Sequence, residues 1–294
     1  MDQTQQVRTR DAEISVAEIQ AVILDIYKEF KKVCDAHGLR YYAVGGTCLG
    51  AVRHQGFIPW DDDMDIAMPD KDYWSFLQIA EQELPEHLRI FVCSEQAHNT
   101  CLFVKVHDIG TTFVEKKEIP YPDEYKGIYL DILPLCGFPD GDRERRRHAK
   151  RIRFLVRLNR QRRQRYSANR KLTSKALWLL FRPFDFLIPV DHWADRWLKV
   201  IGKYVCDSSP YMGYAWSPRL NETRIFPSEM FRNPVDLPFE DTLMRCPADY
   251  DGMLTRVFGD YMQLPKEQDR AAHSKGIVDI HVSYAEYAGK VRHD

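Results

Sequence analysis

Asp61, Asp62, Asp63 and Asp65 fall within five residues, between Trp60 and the apolar residues Met64, Ile66 and Met68. Side chains alternate along a strand, so Asp63 and Asp65 share one face while Met64 and Ile66 share the other. The segment is therefore legible as a strand with an apolar back and an acidic front. Neighbouring carboxylates repel one another unless a cation lies between them. Hard oxygen ligands presented in this way suit Mg²⁺ or Mn²⁺, with bound phosphates completing the coordination. Upstream, Val44-Gly45-Gly46-Thr47 closes a short apolar run and opens a helix, a place where backbone N–H groups meet phosphate.

The surrounding pattern is mixed α/β. Ser15 and Glu18 form a capping-box signature ahead of Ile19, Val22, Ile23, Ile26, Phe30 and Val33 at helical spacing, with Gly38 as the stop signal. Strands are expected over 41–44, 64–68, 88–93, 101–107, 111–115 and 129–133, and helices over 48–52 and 71–83. Asp131 stands alone in its apolar strand. It is either an acid paired with an arginine or a third carboxylate of the acidic centre, where it would complete a two-metal site. From 142 to about 188 the pattern turns helical, a further helix runs over 192–205, and the last clear one spans 250–258. Three regions follow: an α/β core over 1–140, a basic helical region over 141–205, and a C-terminal region over 206–294 packed on the core.

Charge is segregated. The totals, 42 Lys/Arg against 43 Asp/Glu, nearly cancel, yet 16 of the basic residues lie between Arg143 and Arg182 with a single acid, Glu144. Such a run is either a solvated helix face or, given Trp178, Leu179, Leu180 and Phe181, a surface for an anionic membrane. Nucleic-acid binding ranks below both, because no aromatic interleaving or reading module accompanies the charge. The seven cysteines are scattered, odd in number and without a Cys-x-x-Cys pair, which speaks against a disulfide framework or a zinc knuckle. With a polar N-terminus and no run of about 18 apolar residues, a soluble cytoplasmic protein is expected, peripheral to the inner membrane face if the basic block binds lipid.

The stretch from Gly45 through Arg53-His54-Gln55-Gly56-Phe57-Ile58-Pro59-Trp60 to Ile66 resembles the hallmark of the LicD family. That family includes bacterial phosphocholine transferases acting on surface polysaccharides and the animal fukutin-related glycan phosphotransferases. Lys105-Val-His-Asp108 with Thr111-Thr112-Phe113, and Phe258-Gly259-Asp260-Tyr261-Met262 with Pro265 and His273, are similar to family stretches too. The resemblance implies a nucleotidyltransferase-like mixed sheet with a basic helical insertion and a C-terminal extension. It puts Asp63, Asp65 and Asp131 at the metal, with Asp61 as the extra acid of glycan-modifying members, and Gly45, Gly46 and Thr47 at the donor phosphates.

The implied reaction moves a phosphoalkyl group, phosphocholine from CDP-choline foremost, onto a sugar hydroxyl of a cell-surface precursor such as lipopolysaccharide or teichoic acid. Choline, ethanolamine, glycerol and ribitol phosphates would all use the same centre. Arg53 and His54 either neutralise phosphate or, for Arg53, pair internally with Asp61 or Asp62. Lys105 leans to phosphate, and only the resemblance raises His273 above a structural histidine. Trp60 is either a stacking platform or packing. Trp178, Trp193, Trp197, Tyr211, Tyr214 and Trp216 are candidates for a quaternary-ammonium cage or for core. Two other readings remain: a nucleotidyltransferase that attaches NMP to a small molecule, protein or RNA, and a non-catalytic membrane- or nucleic-acid-binding adaptor.

Overall fold

The computed structural model describes residues 14–91, 102–116, 118–163, 179, 191–270 and 275–291. The first helix, α1 (Val16–Ala36), begins at the expected capping box: Ser15 accepts from the Glu18 N–H, and the Glu18 carboxylate accepts from the Ser15 N–H at 2.8 Å. Its apolar stripe, Ile19, Ile23, Ile26, Tyr27 and Phe30, is fully buried. Phe30 meets Tyr41 and Phe76 edge-on, with ring centroids 5.4 and 5.0 Å away. Each such side chain contributes about 1.5–3 kcal/mol of hydrophobic stabilisation, so α1 fixes the back of the sheet firmly.

The sheet holds seven strands. Along one path lie β1 (Tyr42–Ala43), β2 (Asp65–Met68), β6 (Tyr129–Phe138), β4 (Val104–Asp108) and β3 (Leu88–Phe91). β2 runs parallel to β6 and the other pairs run antiparallel. β6 is twice as long as the expected 129–133 strand. Its first half pairs with β2 and β4, and from Leu135 onward it pairs with β7 (Tyr211–Tyr214), which pairs in turn with β8 (Ile225–Pro227). β5 (Thr112–Glu115) lies outside this sheet and pairs with β11 (Lys275–Asp279), while β9 (Val235–Phe239) and β10 (Thr242–Cys246) form a hairpin.

Two helices flank the acidic strand. α2 (Gly45–His54) begins at the glycines themselves, three residues before the expected start, and α3 (Asp70–Glu83) follows β2. Beyond β6 come α4 (Asp142–Arg163), α5 (Asp191–Ile201), α6 (Tyr250–Phe258) and α7 (Tyr284–Val291). α4 and α5 enclose a second core with the far end of β6, built from Cys136, Phe138, Ile152, Leu155, Trp197 and Ile201. Cys34, Cys48, Cys136, Cys206 and Cys246 are buried free thiols; Cys93 and Cys101 lie outside the described residues. Among the described residues no helix is long and apolar enough to cross a membrane.

The turn after α2 explains a glycine. Gln55 is left-handed, with φ of 56°, and folds the chain back so that the Gly56 N–H donates to the Gly50 carbonyl at 3.4 Å. A Cβ on Gly50 would stand 2.5 Å from the Gly56 carbonyl oxygen. Gly50→Ala gains up to about 1 kcal/mol of helix propensity but forces this turn apart, an overpacking cost of about 1–3 kcal/mol. We expect a net loss of stability in urea unfolding, together with weakened binding at the neighbouring site. An unchanged midpoint would show that the turn yields freely.

Candidate active site

The site begins with a register. Asp65 on β2 lies opposite Asp131 on β6, and Asp131 lies opposite Lys105 on β4. Three adjacent strands therefore carry an acid–acid–base row. The Lys105 Nζ sits 2.7 Å from Asp131 Oδ1 and 3.2 Å from the Tyr129 ring centroid. The internal partner of Asp131 is thus a lysine, and no arginine is needed to account for its place in an apolar strand.

Asp61, Asp63 and Asp65 are half-buried and alternate with buried Asp62, Met64 and Ile66, as the strand period requires. Burial is the main cause that pushes the Asp65 carboxyl well above the usual carboxylate range. Asp63, Asp131 and Asp61 add repulsion, and Lys105 opposes it. Asp131 is likewise raised, by burial first, against Lys105 and with Asp63 and Glu115. The charges of Asp63, Asp131 and Asp61 thus all bear on Asp65.

The glycines make room for these acids. Gly45 takes φ of 56°, a left-handed conformation that a side chain resists. A Cβ there would lie 3.3 Å from Asp65 Oδ2, and one on Gly46 would lie 2.6 Å from Asp61 Oδ2. The carboxylates therefore rest against the first turn of α2, where unpaired N–H groups favour negative charge. Thr47, expected at the donor phosphates, accepts from the Asp65 N–H through Oγ1 at 2.8 Å and so positions the acid. Gln20 of α1 donates to the carbonyls of Ile58 and Asp61 at 3.1 and 2.8 Å, pinning the acidic loop from behind.

Basic groups border the loop. Arg53 donates to the Tyr261 carbonyl at 2.7 Å and to His54 Nε2 at 3.0 Å. Burial, with the Arg53 charge beside it, lowers the His54 imidazole below its ordinary range. Arg53 itself is lowered by burial and by the charge of Arg270, whose guanidinium stands 5.2 Å over the Trp60 ring. No local sequence pattern singles out Arg270. It lies five residues past Pro265, and its Nε–H donates to the Pro265 carbonyl at 2.9 Å, so the familial tail was its only signal. His273 lies outside the described residues, as does Trp178.

The aromatic candidates separate. Trp197 is core, donating to the Ala215 carbonyl at 2.9 Å, Trp193 packs beside it, and Tyr211 lies under Arg145. Tyr214 and Trp216 are stacked, 5.8 Å apart, and Phe103 links Trp216, at 5.6 Å, to Lys105, at 5.7 Å. Burial raises the Tyr214 hydroxyl, with Cys48 and Asp65 adding to it. Among the described residues no group of three or more His, Cys, Asp or Glu side chains is placed to hold a metal ion. Mg²⁺ rarely asks for such a group, since it binds through one or two carboxylates with water and substrate phosphates supplying the rest. The donor set fits that ion.

Fold and site together define an α/β protein whose acidic centre, set against a glycine-opened helix, is of the kind used in phosphate chemistry. Residues 38–134 match the family model described as LicD/FKTN/FKRP, nucleotidyltransferase domain. The lipopolysaccharide cholinephosphotransferase LicD of Haemophilus influenzae is 28% identical over 270 residues, covering 88% of this chain and 96% of that protein. An uncharacterized protein of Rickettsia typhi, RT0683, is 33% identical over 149 residues, 47% of each chain. Human ribitol 5-phosphate transferase FKRP is 41% identical over 51 residues, 17% of this chain and 10% of its own length. Residues 38–134 are thus similar to the LicD family domain, and most of the chain is similar to one phosphotransferase of that family.

A folded-state carboxyl raised above its unfolded value weakens the fold once the pH exceeds that value, because the ionised form is the disfavoured one. Asp65→Asn should therefore raise stability near neutral pH in the absence of divalent cations. It should also flatten the dependence of stability on pH between the unfolded and folded values. Urea unfolding across that range measures both, and a destabilised variant would show that the cluster carries no net repulsion.

Proposed function

We propose that the protein transfers a phosphoalkyl group, phosphocholine from CDP-choline foremost, to a sugar hydroxyl of a surface-polysaccharide precursor. The observation that carries the reading is the placement of Asp61 and Asp65 against the α2 N-terminus, with Asp131 in register with Asp65 on the neighbouring strand. The choice of choline leans on the cholinephosphotransferase of Haemophilus influenzae, matched over 96% of its length.

In this reading Asp63 and Asp65 hold Mg²⁺ (or Mn²⁺), with Asp131 and Asp61 beside them. The ion supplies charge neutralisation for phosphate oxygens and the approaching nucleophile. The α2 N–H groups and the Arg53–Arg270 pair take the diphosphate, and Trp60 offers a face to the base or alcohol. The acceptor hydroxyl attacks the choline-bearing phosphorus in line, CMP leaves, and a buried carboxylate with a raised pKa is suited to receive the acceptor's proton. Asp131 serves as that base, with Lys105 holding its orientation. The Tyr214–Trp216 pair is the wall against which a trimethylammonium group would stack.

Calorimetric titration of CDP-choline, CDP-ethanolamine and CDP-glycerol with Mg²⁺ tests the donor. We expect metal-dependent binding of one CDP-alcohol and its loss in Asp63→Asn/Asp65→Asn, with turnover falling at least about 10³-fold, a few kcal/mol of transition-state stabilisation. Metal-dependent binding of a nucleoside triphosphate alone, with pyrophosphate as the product, would replace this reading by nucleotidyl transfer.

Trp216→Ala separates the alcohols. Loss of a cation–π wall of about 1–2 kcal/mol should raise KM for CDP-choline about tenfold and leave CDP-glycerol, which has no cationic group, nearly unchanged. Equal losses for both donors would make Trp216 a packing residue.

A further inference from the structure

A second basic feature lies well away from the acidic centre. A cavity of about 420 Å³ opens between the first half of α4 and the turn after α5, lined by Arg143, Arg147, His148, Arg151, Lys203 and Tyr204. Asp131 is near the start of β6, whereas Phe138, whose ring packs against His148 with centroids 5.2 Å apart, is its last residue. Seven residues of strand separate them, roughly 23 Å at about 3.3 Å per residue. No single phosphate can serve both places.

The charge in this cavity is mostly uncompensated. Glu144 also lines it, but it is occupied: Tyr204 donates to it at 2.5 Å and Lys203 stands 3.7 Å away. Elsewhere on the helix, arginines do find carboxylates. Arg145 pairs with Asp142, and Arg146 pairs with Glu222. Arg143, Arg147 and Arg151, spaced four apart and hence on one side of α4, have no carboxylate partner among the described residues.

His148 adds a second, independent sign. It is 4% exposed, and its Nε2 is buried without a hydrogen-bond partner. Burial, with Lys203 and Arg151 beside it, holds its pKa down to about 4, so the ring is neutral near pH 7. A buried imidazole nitrogen with no partner is costly unless a ligand completes it.

The same face carries an apolar side chain. Phe154 lies seven residues after Arg147 and eleven after Arg143, about two and three helical turns, and it is 60% exposed among basic residues. An exposed aromatic ringed by arginines is suited to the interface of an anionic bilayer, where the ring enters the acyl boundary and the guanidinium groups meet phosphate.

We propose that the α4 cavity binds the phosphate group of an anionic membrane lipid, with Arg143, Arg147 and Arg151 clamping the phosphate and Phe154 dipping into the bilayer. Binding docks the protein on the membrane surface and leaves the acidic centre free. The inference stands independently of the donor chemistry proposed above.

Co-sedimentation of the full chain with phosphatidylcholine vesicles, with and without phosphatidic acid, tests it. We expect binding only with phosphatidic acid, weakened at least about tenfold in Arg147→Glu/Arg151→Glu and reduced in Phe154→Ser. Circular dichroism checks that both variants fold, and Phe154→Ser, a surface change, keeps the test open if the double variant does not. CDP-choline titration should be unaltered in both, so failure here and failure of the donor reading are separable. Calorimetry with inorganic phosphate distinguishes the source: arginine-dependent phosphate binding without vesicle binding would overturn the lipid. Undiminished vesicle binding by the variants would overturn the cavity.

Discussion

Two acids opposite one another on adjacent parallel strands repel, and Asp65 and Asp131 occupy that relation with a single lysine beyond them. Much of the local architecture follows from having to hold these charges together. The glycines at 45 and 46 bring an N-terminal helical turn against carboxylates that a side chain would displace. Thr47 spends its acceptor on the Asp65 backbone, and Gln20 reaches from α1 to fix the loop carbonyls. Lys105 stabilises Asp131 while its ammonium rests on the Tyr129 ring, so the counter-charge is itself held in place. The aromatic core behind the sheet, Phe30 against Tyr41 and Phe76, supplies the stability that a repulsive centre consumes.

The parts of this arrangement that sequence exposes are those governed by local rules. The alternation of Asp63, Met64, Asp65 and Ile66 is a period-two signal, and Ser15 with Glu18 satisfies a rule that spans four residues. Asp131 was visible as an acid in an apolar run, but its partner was not, because Lys105 reaches it across a strand ladder whose register no local pattern encodes. The length of β6 was hidden for a related reason. Pro134 reads as a breaker, yet it stands where the strand exchanges β2 for β7, and there its carbonyl accepts from the Ala215 N–H. β7, only Tyr-Met-Gly-Tyr, has no alternation of its own, and β5 finds its partner β11 some 160 residues away. Arg270 escaped for the same cause: nothing around it in sequence tells that Trp60 lies beneath it.

The distant segments converge on the flanks of the acidic loop. Glu240, left-handed at the β9–β10 turn, donates its N–H to the Gln55 carbonyl and accepts from the Phe57 N–H at 3.0 Å. Tyr261 takes Arg53, and Arg270 covers Trp60. The 206–294 region thus meets the loop on its outer side and, through β7, brings Tyr214 and Trp216 to the inner side. The acids and glycines lie within the family-matched 38–134 segment, while these walls come from outside it. Proteins that match only this segment need not share those walls.

Segregated charge gives β6 a polarity that the net charge of −1 conceals. Its first residues lie among carboxylates and its last beside the arginines of α4. A highly charged anion approaching the protein is drawn toward the α4 end and repelled by the bare acidic centre, since opposed fields act within about a Debye length of each surface. Positive charge borders the acidic loop along the Arg53–Arg270 edge, so an anion meets the least repulsion at that end from this side.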